Sequence, residues 1–327
     1  MESIVFLVVA VLVVAVVVGF LRLNAFYRST NTYLNRYAYA RNYIKKPKND
    51  LELVNLGSTY SQFACQSYGD FTVKAYNLAL YSRPVVYDYY ILRKYAKYID
   101  KNGVVLQFLS PGLFLLDERY EDNSGNHCFV LSPFEMNKQN IIQWLKVRVP
   151  ILRKPHIGAC FYDVAGIDIN EKYLKEIDYH TVEFNMEQRV SAWKMQFNLE
   201  NLMDENLTEV HKKSIRVNLK VLSRIEAFCA SEKYKLIFVV PPFSDTLNQM
   251  LGAEFCKKVL YEPLKQKFPK IPLLDYRESE LFAEEHHLFV DGGFLLNKAG
   301  SRKFLGVLIK QLYEEHSLDL EKRDWCV

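Results

Sequence analysis

Runs of strand length recur along this chain, and each stops at small or helix-breaking residues. Residues 51–56 stop at Gly57-Ser58-Thr59, residues 104–109 at Ser110-Pro111-Gly112, and residues 235–240 at Pro241-Pro242. Residues 73–80 and 271–274 read as two further strands. Between them, apolar positions fall at helical spacing over 60–68, 87–99, 214–231, 255–268 and 298–316, with Asn297 placed to open the last helix. A strand in a parallel sheet is buried on both faces, so it reads as a continuous apolar run rather than an alternation. Strands alternating with helices predict an α/β fold with a mostly parallel sheet and helices on both faces.

A second constraint precedes this pattern. Residues 4–21 are apolar throughout apart from Gly19, and none is charged. That is about the helical length of one bilayer core. The chain starts Met1-Glu2-Ser3, without the basic start of a cleavable signal, and Gly19-Phe20-Leu21-Arg22 is a poor cleavage site. The run is therefore expected to be an uncleaved single-span anchor. Seven basic residues lie after it (Arg22, Arg28, Arg36, Arg41, Lys45, Lys46 and Lys48) and none precedes it. Flanking charge alone places the domain beyond the span in the cytoplasm.

Residues 1–23 thus read as a transmembrane anchor, 24–50 as a basic, Tyr-rich connector, and 51–327 as one α/β domain. The stretch 117–203 is less regular, with helices expected around 136–147 and 171–177, and is too long for a simple crossover. It reads as an inserted cap. A formal net charge of +4 without any nucleic-acid motif argues against a nucleic-acid partner. The six cysteines form no CxxC pair and no zinc-type spacing, so no metal or cofactor is expected, and buried free thiols are. The 22 Tyr and 21 Phe read as half-buried packing, or as a sugar- or lipid-facing surface.

Several blocks, in chain order, resemble the SGNH hydrolase superfamily, also called GDSL esterases. They are Asn55-Leu56-Gly57-Ser58-Thr59, Tyr76-Asn77-Leu78-Ala79-Leu80, Phe108-Leu109-Ser110-Pro111, Val239-Val240-Pro241-Pro242, and the run from Phe289 to Gly300 containing Asp291, Asn297 and Lys298. The nearest likeness is to the membrane-anchored branch, the accessory proteins of cell-surface polysaccharide and teichoic-acid acylation. The resemblance implies a three-layer, flavodoxin-like sandwich of the SGNH type. It also implies an extracytoplasmic domain, opposite to the charge argument. Its partners would be the membrane, a glycan or acylated polymer, and a multispan membrane acyltransferase docked through the connector.

That family uses a Ser nucleophile, a His base and an Asp that orients the His. Carried over, Thr59 falls at the nucleophile, Asp291 at the terminal Asp, and Gly57, Gly69 and Asn77 at oxyanion or ligand-binding positions. Ser58 or Ser61 would serve if the turn is shifted; alternatively, these hydroxyls cap the next helix. The His position is Phe294 counted forward from Asp291, or Leu295 counted back from Asn297 and Gly300. Neither accepts a proton. His286 and His287 lie upstream beside Glu284 and Glu285, as a substitute base or as solvated surface. The expectation is a degenerate cleft in a binding or accessory subunit. The alternatives are an active ester hydrolase or O-acyltransferase with a rearranged site, and a structural partner of an acyltransferase.

Overall fold

A computed structural model describes residues 2–29, 47–81, 84–116, 126–136, 141–149, 182–199 and 207–316. In chain order it contains α1 (Glu2–Ser29), β1 (Leu51–Leu56), α2 (Thr59–Ala64), β2 (Ala75–Asn77), α3 (Val86–Tyr95), β3 (Ile99–Phe108) and α4 (Pro111–Leu115). Then come α5 (Asn126–Val130), α6 (Ile141–Arg148), α7 (Val182–Phe197), α8 (Glu209–Glu232), β4 (Lys235–Val240), α9 (Asp245–Leu251) and α10 (Ala253–Cys256). A π-turn over Lys257–Tyr261 leads into α11 (Glu262–Lys267), and β5 (Leu273–Asp275) and α12 (Lys298–His316) complete the chain order. The helix expected at 171–177 lies outside the described residues.

The chain divides into two compact units, Met1–Ile44 with Asn123–Lys175, and Lys45–Asp122 with Glu176–Val327. The stretch read as an inserted cap is shared between them: α5 and α6 fall in the first unit, α7 in the second.

In the first unit, α1 contains a 23-residue stretch, Ile4–Phe26, long and apolar enough to cross a membrane. Every residue of that stretch is exposed except Asn24, which is half-buried and donates from Nδ2 to the Arg148 carbonyl at 3.3 Å.

In the second unit, five parallel strands form one sheet in the order β2-β1-β3-β4-β5. The central strands pair through apolar residues, Val54 with Val105 and Leu106 with Ile237. All four of these residues are buried, as continuous apolar runs require. Right-handed crossovers put connections that run leftward and rightward across a sheet on opposite faces. The packing agrees: α12 packs on α2, whereas α8 packs on α3, α4 and α11. Helix α8 shows why these residues form a helix. Ile215, Leu222, Ile225 and Cys229 make a buried stripe at helical spacing. The Thr208 side chain and His211 form a reciprocal cap at its start, and Lys233 in the left-handed region ends it.

Strand order 2-1-3-4-5 is that of flavodoxin-type doubly wound sheets. There the topology reverses between β1 and β3, and ligands bind beyond the carboxyl ends of those strands.

Candidate functional site

A cavity of about 210 Å³ lies at that reversal. Ser58 and Thr59, at the end of β1, form one side of it. Ser110 and Gly112, at the end of β3, form another. Arg189 and Trp193 of α7 and Phe294 are also in its lining.

The turn after β1 is held by steric and polar constraints together. Gly57 sits at φ +132°, and a Cβ there would approach the Ser61 Cβ to 2.8 Å and the Phe108 Cβ to 3.0 Å. Its N–H donates to the buried Asp88 carboxylate at 3.3 Å, and Gln107 donates to the other carboxylate oxygen at 2.8 Å. Ser58 then occupies the position before α2 without a side-chain capping bond. Ser58 is also one of the residues that line the cavity. Ser61 points inward, donating to the Leu56 carbonyl at 3.0 Å and accepting from Asn55 Nδ2 at 2.9 Å.

The wall after β3 has a different support. Helix α4 is one turn long and ends with unsatisfied carbonyls. Buried Asn218 of α8 donates to the carbonyls of Phe114 and Leu116, each at 3.0 Å, and so pins this wall from behind.

The loop after residue 290 spends its carboxylate internally. Asp291 Oδ1 accepts from the N–H groups of Gly293 at 3.2 Å, Phe294 at 2.9 Å and Leu295 at 2.9 Å. Its Oδ2 pairs with the Arg189 guanidinium. Gly293 packs too closely for a side chain, since a Cβ would meet Ser244 Oγ at 2.4 Å. Phe294 therefore turns into the cavity. Its ring centroid lies 5.7 Å from that of Tyr60, 5.1 Å from Trp193 and 5.3 Å from Phe243. The Arg189 guanidinium lies 5.1 Å from the same ring, within cation–π range.

Of the residues singled out in the sequence, Ser58 and Thr59 meet at this cavity, and Asp291 reaches it through Arg189. Gly57 shapes the turn, but its N–H is committed to Asp88. Asn77 is not in the lining. Its Oδ1 accepts from Asn55 at 2.9 Å and from the Ala79 N–H at 3.1 Å, and its Nδ2 donates to the Gln62 carbonyl at 2.9 Å. Gly69 is exposed, in the 3₁₀ turn Tyr68–Asp70, and is also outside the lining.

Among the described residues, no histidine lines the cavity. His286 engages both ring nitrogens, with the Gly292 carbonyl at 2.9 Å and Asp245 Oδ1 at 3.3 Å. His287 faces Glu285 at 3.1 Å. His211 is held between Thr208 and the Phe197 carbonyl. His156, His180 and the side chain of His316 lie outside the described residues. Among the described residues, no three His, Cys, Asp or Glu side chains gather as a metal site.

Sequence reasoning missed Arg189, Trp193, Ser110 and Asn218. Ser110 had a usable signal, because it ends the strand next to β1 in a sheet whose ligands bind at strand ends. Arg189 and Trp193 lie one helical turn apart on α7, in a stretch with no strong apolar period. No family model matches the chain, and no curated protein matches it in sequence.

Proposed function

We propose that this chain is a membrane-anchored, SGNH-like protein of cell-envelope polysaccharide synthesis or acylation, in which the cleft binds ligand without turning it over. The observation that carries this reading is the loop at Asp291–Leu295. Phe294 stands where the resemblance expects the base, packed among three aromatic rings. The carboxylate that would orient a base is bound to its own loop and to Arg189. A serine or threonine hydroxyl is a weak nucleophile without an adjacent base. Loss of general-base help costs about 100- to 10,000-fold in rate. The motif order in the sequence and the long apolar helix support the family and the anchor. The hydroxyls of Ser58, Thr59 and Ser110 beside Trp193 and Phe294 suit a ligand with both polar edges and apolar faces, such as a glycan or an acylated sugar. The cavity is smaller than the roughly 300–1,000 Å³ of sites that engulf a whole small ligand. It takes one residue or branch of a longer polymer.

One observation favours a second reading. Ser58 makes no capping bond and lines the cavity, as a nucleophile for ester hydrolysis or O-acyl transfer would. Fluorophosphonate labelling of the full chain in lipid nanodiscs separates the two. The binding reading expects no covalent adduct on the folded protein. Labelling that disappears in Ser58→Ala or Thr59→Ala would overturn it and establish an acyl-transferring enzyme.

A further inference from the structure

The unit that carries α1 has an exposed apolar surface that the cavity does not use. Phe134 is 83% exposed, Ile142 70%, Ile141 46% and Leu145 39%. Ile141, Ile142 and Leu145 occupy positions i, i+1 and i+4 of α6, and so share one face of that helix. The α/β unit is much longer, yet its exposed large apolar side chains (Met195, Val210, Leu273, Leu281 and Val290) are scattered over separate elements. The concentration around α6 needs its own cause.

Its attachment supplies one. The last residue of the helix, Arg148, accepts the Asn24 hydrogen bond through its carbonyl, and Asn24 lies in the final turn of the apolar stretch Ile4–Phe26. Asn24 is also the one residue of that stretch withdrawn from the surface. The Arg148 side chain turns back, donating to the Phe129 carbonyl at 2.8 Å with its guanidinium 5.9 Å from the Trp144 ring. An eight-residue helix is about 12 Å long, so no part of α6 is far from that anchor point. The interfacial layer beside the hydrocarbon core is roughly 5–8 Å thick on each side. Trp, Lys and Arg are the residue types that favour this layer, and Trp144, Lys146 and Arg148 are all on α6.

We propose that α6 and Phe134 form an in-plane membrane collar: Phe134, Ile141, Ile142 and Leu145 bury in the headgroup–acyl boundary of the bilayer that α1 crosses. The occupant is lipid because the helix that carries the apolar face is hydrogen-bonded through its last residue to the end of the apolar span, and a collar continues the lipid-facing surface already there. Interfacial helices bind through a buried apolar face with basic residues at its edge. The proposal rests on reading α1 as an anchor, and its test separates the two.

The full chain, with Cys160→Ser and Cys326→Ser, would be placed in nanodiscs of three parts phosphatidylcholine to one part phosphatidylglycerol. Nitroxide labels would be attached singly at Ile142→Cys, at Leu12→Cys within the span, and at the exposed Lys97→Cys in the 3₁₀ turn Ala96–Tyr98 that follows α3. Collision with oxygen reports lipid, and collision with a water-soluble nickel chelate reports solvent. The collar predicts an oxygen-to-nickel ratio at Ile142 at least about threefold above that at Lys97, with Leu12 higher still. A lipid-immersed Leu12 with a water-accessible Ile142 would overturn the collar and leave the anchor standing. Water access at both would remove the anchor and the collar with it. Shielding of Ile142 from both colliders would mean that protein, not lipid, covers the face, and would overturn the proposal.

Discussion

Two segments meet at the cavity, and they are held in different ways. The turn Gly57–Ser61 is fixed by a glycine at positive φ and an inward-bonded Ser61, with Ser58 and Thr59 in the cavity lining. The loop Asp291–Leu295 places the Phe294 ring at the cavity and commits the Asp291 carboxylate to its own backbone N–H groups and to Arg189. The shape of a cleft depends on backbone conformation and packing, which many atoms maintain together. Its chemistry depends on one or two side chains. A cleft can therefore keep its shape while its chemistry changes, so the shape alone does not decide between binding and turnover.

The largest effect is expected on the turn side. Gly57→Ala adds a Cβ within 3.0 Å of two side chains at a backbone conformation that L residues rarely adopt. Strain and overpacking together should cost about 3–5 kcal/mol. Denaturant unfolding should show the loss as a lower midpoint with unchanged slope. A cost below about 1 kcal/mol would mean that the turn relaxes freely, and the contrast between a sterically fixed turn and a loop held by ring packing would disappear.

On the loop side the effect is expected to be somewhat smaller. Phe294 is 6% exposed and touches three rings. Truncation to alanine should cost about 2–4 kcal/mol, with part of the loss offset by solvent entering the open cavity. Phe294→His sharpens the comparison. The imidazole would lie beside a carboxylate already held by Arg189, so fluorophosphonate labelling should stay absent. Labelling in Phe294→His would show that the loop lacks only the base, and that the Arg189 pair gives way to it.

The legibility of these parts in the sequence depends on their range. Strands β1 and β4 were readable to the residue, because each is one unbroken run ended by breakers. Strand β3 starts at Ile99, five residues ahead of the apolar run, because exposed Asp100, Lys101 and Asn102 continue the strand outside the core. Strand β2 is only three residues long, as edge strands often are, so flanking apolar residues overstated it. The hydroxyl turn was visible because strand, glycine and hydroxyls are contiguous. The Asn77 bonds were not, since they depend on Asn55 in the neighbouring strand. The Arg189–Asp291 pair joins segments far apart in sequence, so no local pattern could announce it.

The smallest effect separates the two sides by reactivity rather than stability. Cys65 ends α2, directly behind the hydroxyl turn, and is 1% exposed. Burial pushes its thiol well above the ordinary range, and a hydrogen bond with Tyr68 only partly opposes this. The thiolate is the reactive form, and an unperturbed thiol titrates near 8.5. Between pH 7.5 and 9, iodoacetamide should therefore label the unfolded chain progressively faster while folded Cys65 stays at least about 100-fold slower. The same shift fixes the sign for stability. The unfolded thiol loses its proton first, so this contribution to folding is intact below roughly pH 8.5 and declines as pH rises beyond it. In Gly57→Ala, protection of Cys65 should fall, because the turn in front of it is displaced. In Phe294→Ala it should be retained, because the truncated ring belongs to the opposite wall. Equal loss of protection in both variants would show that turn and loop open as one unit, and that the two walls of the cavity are a single structure.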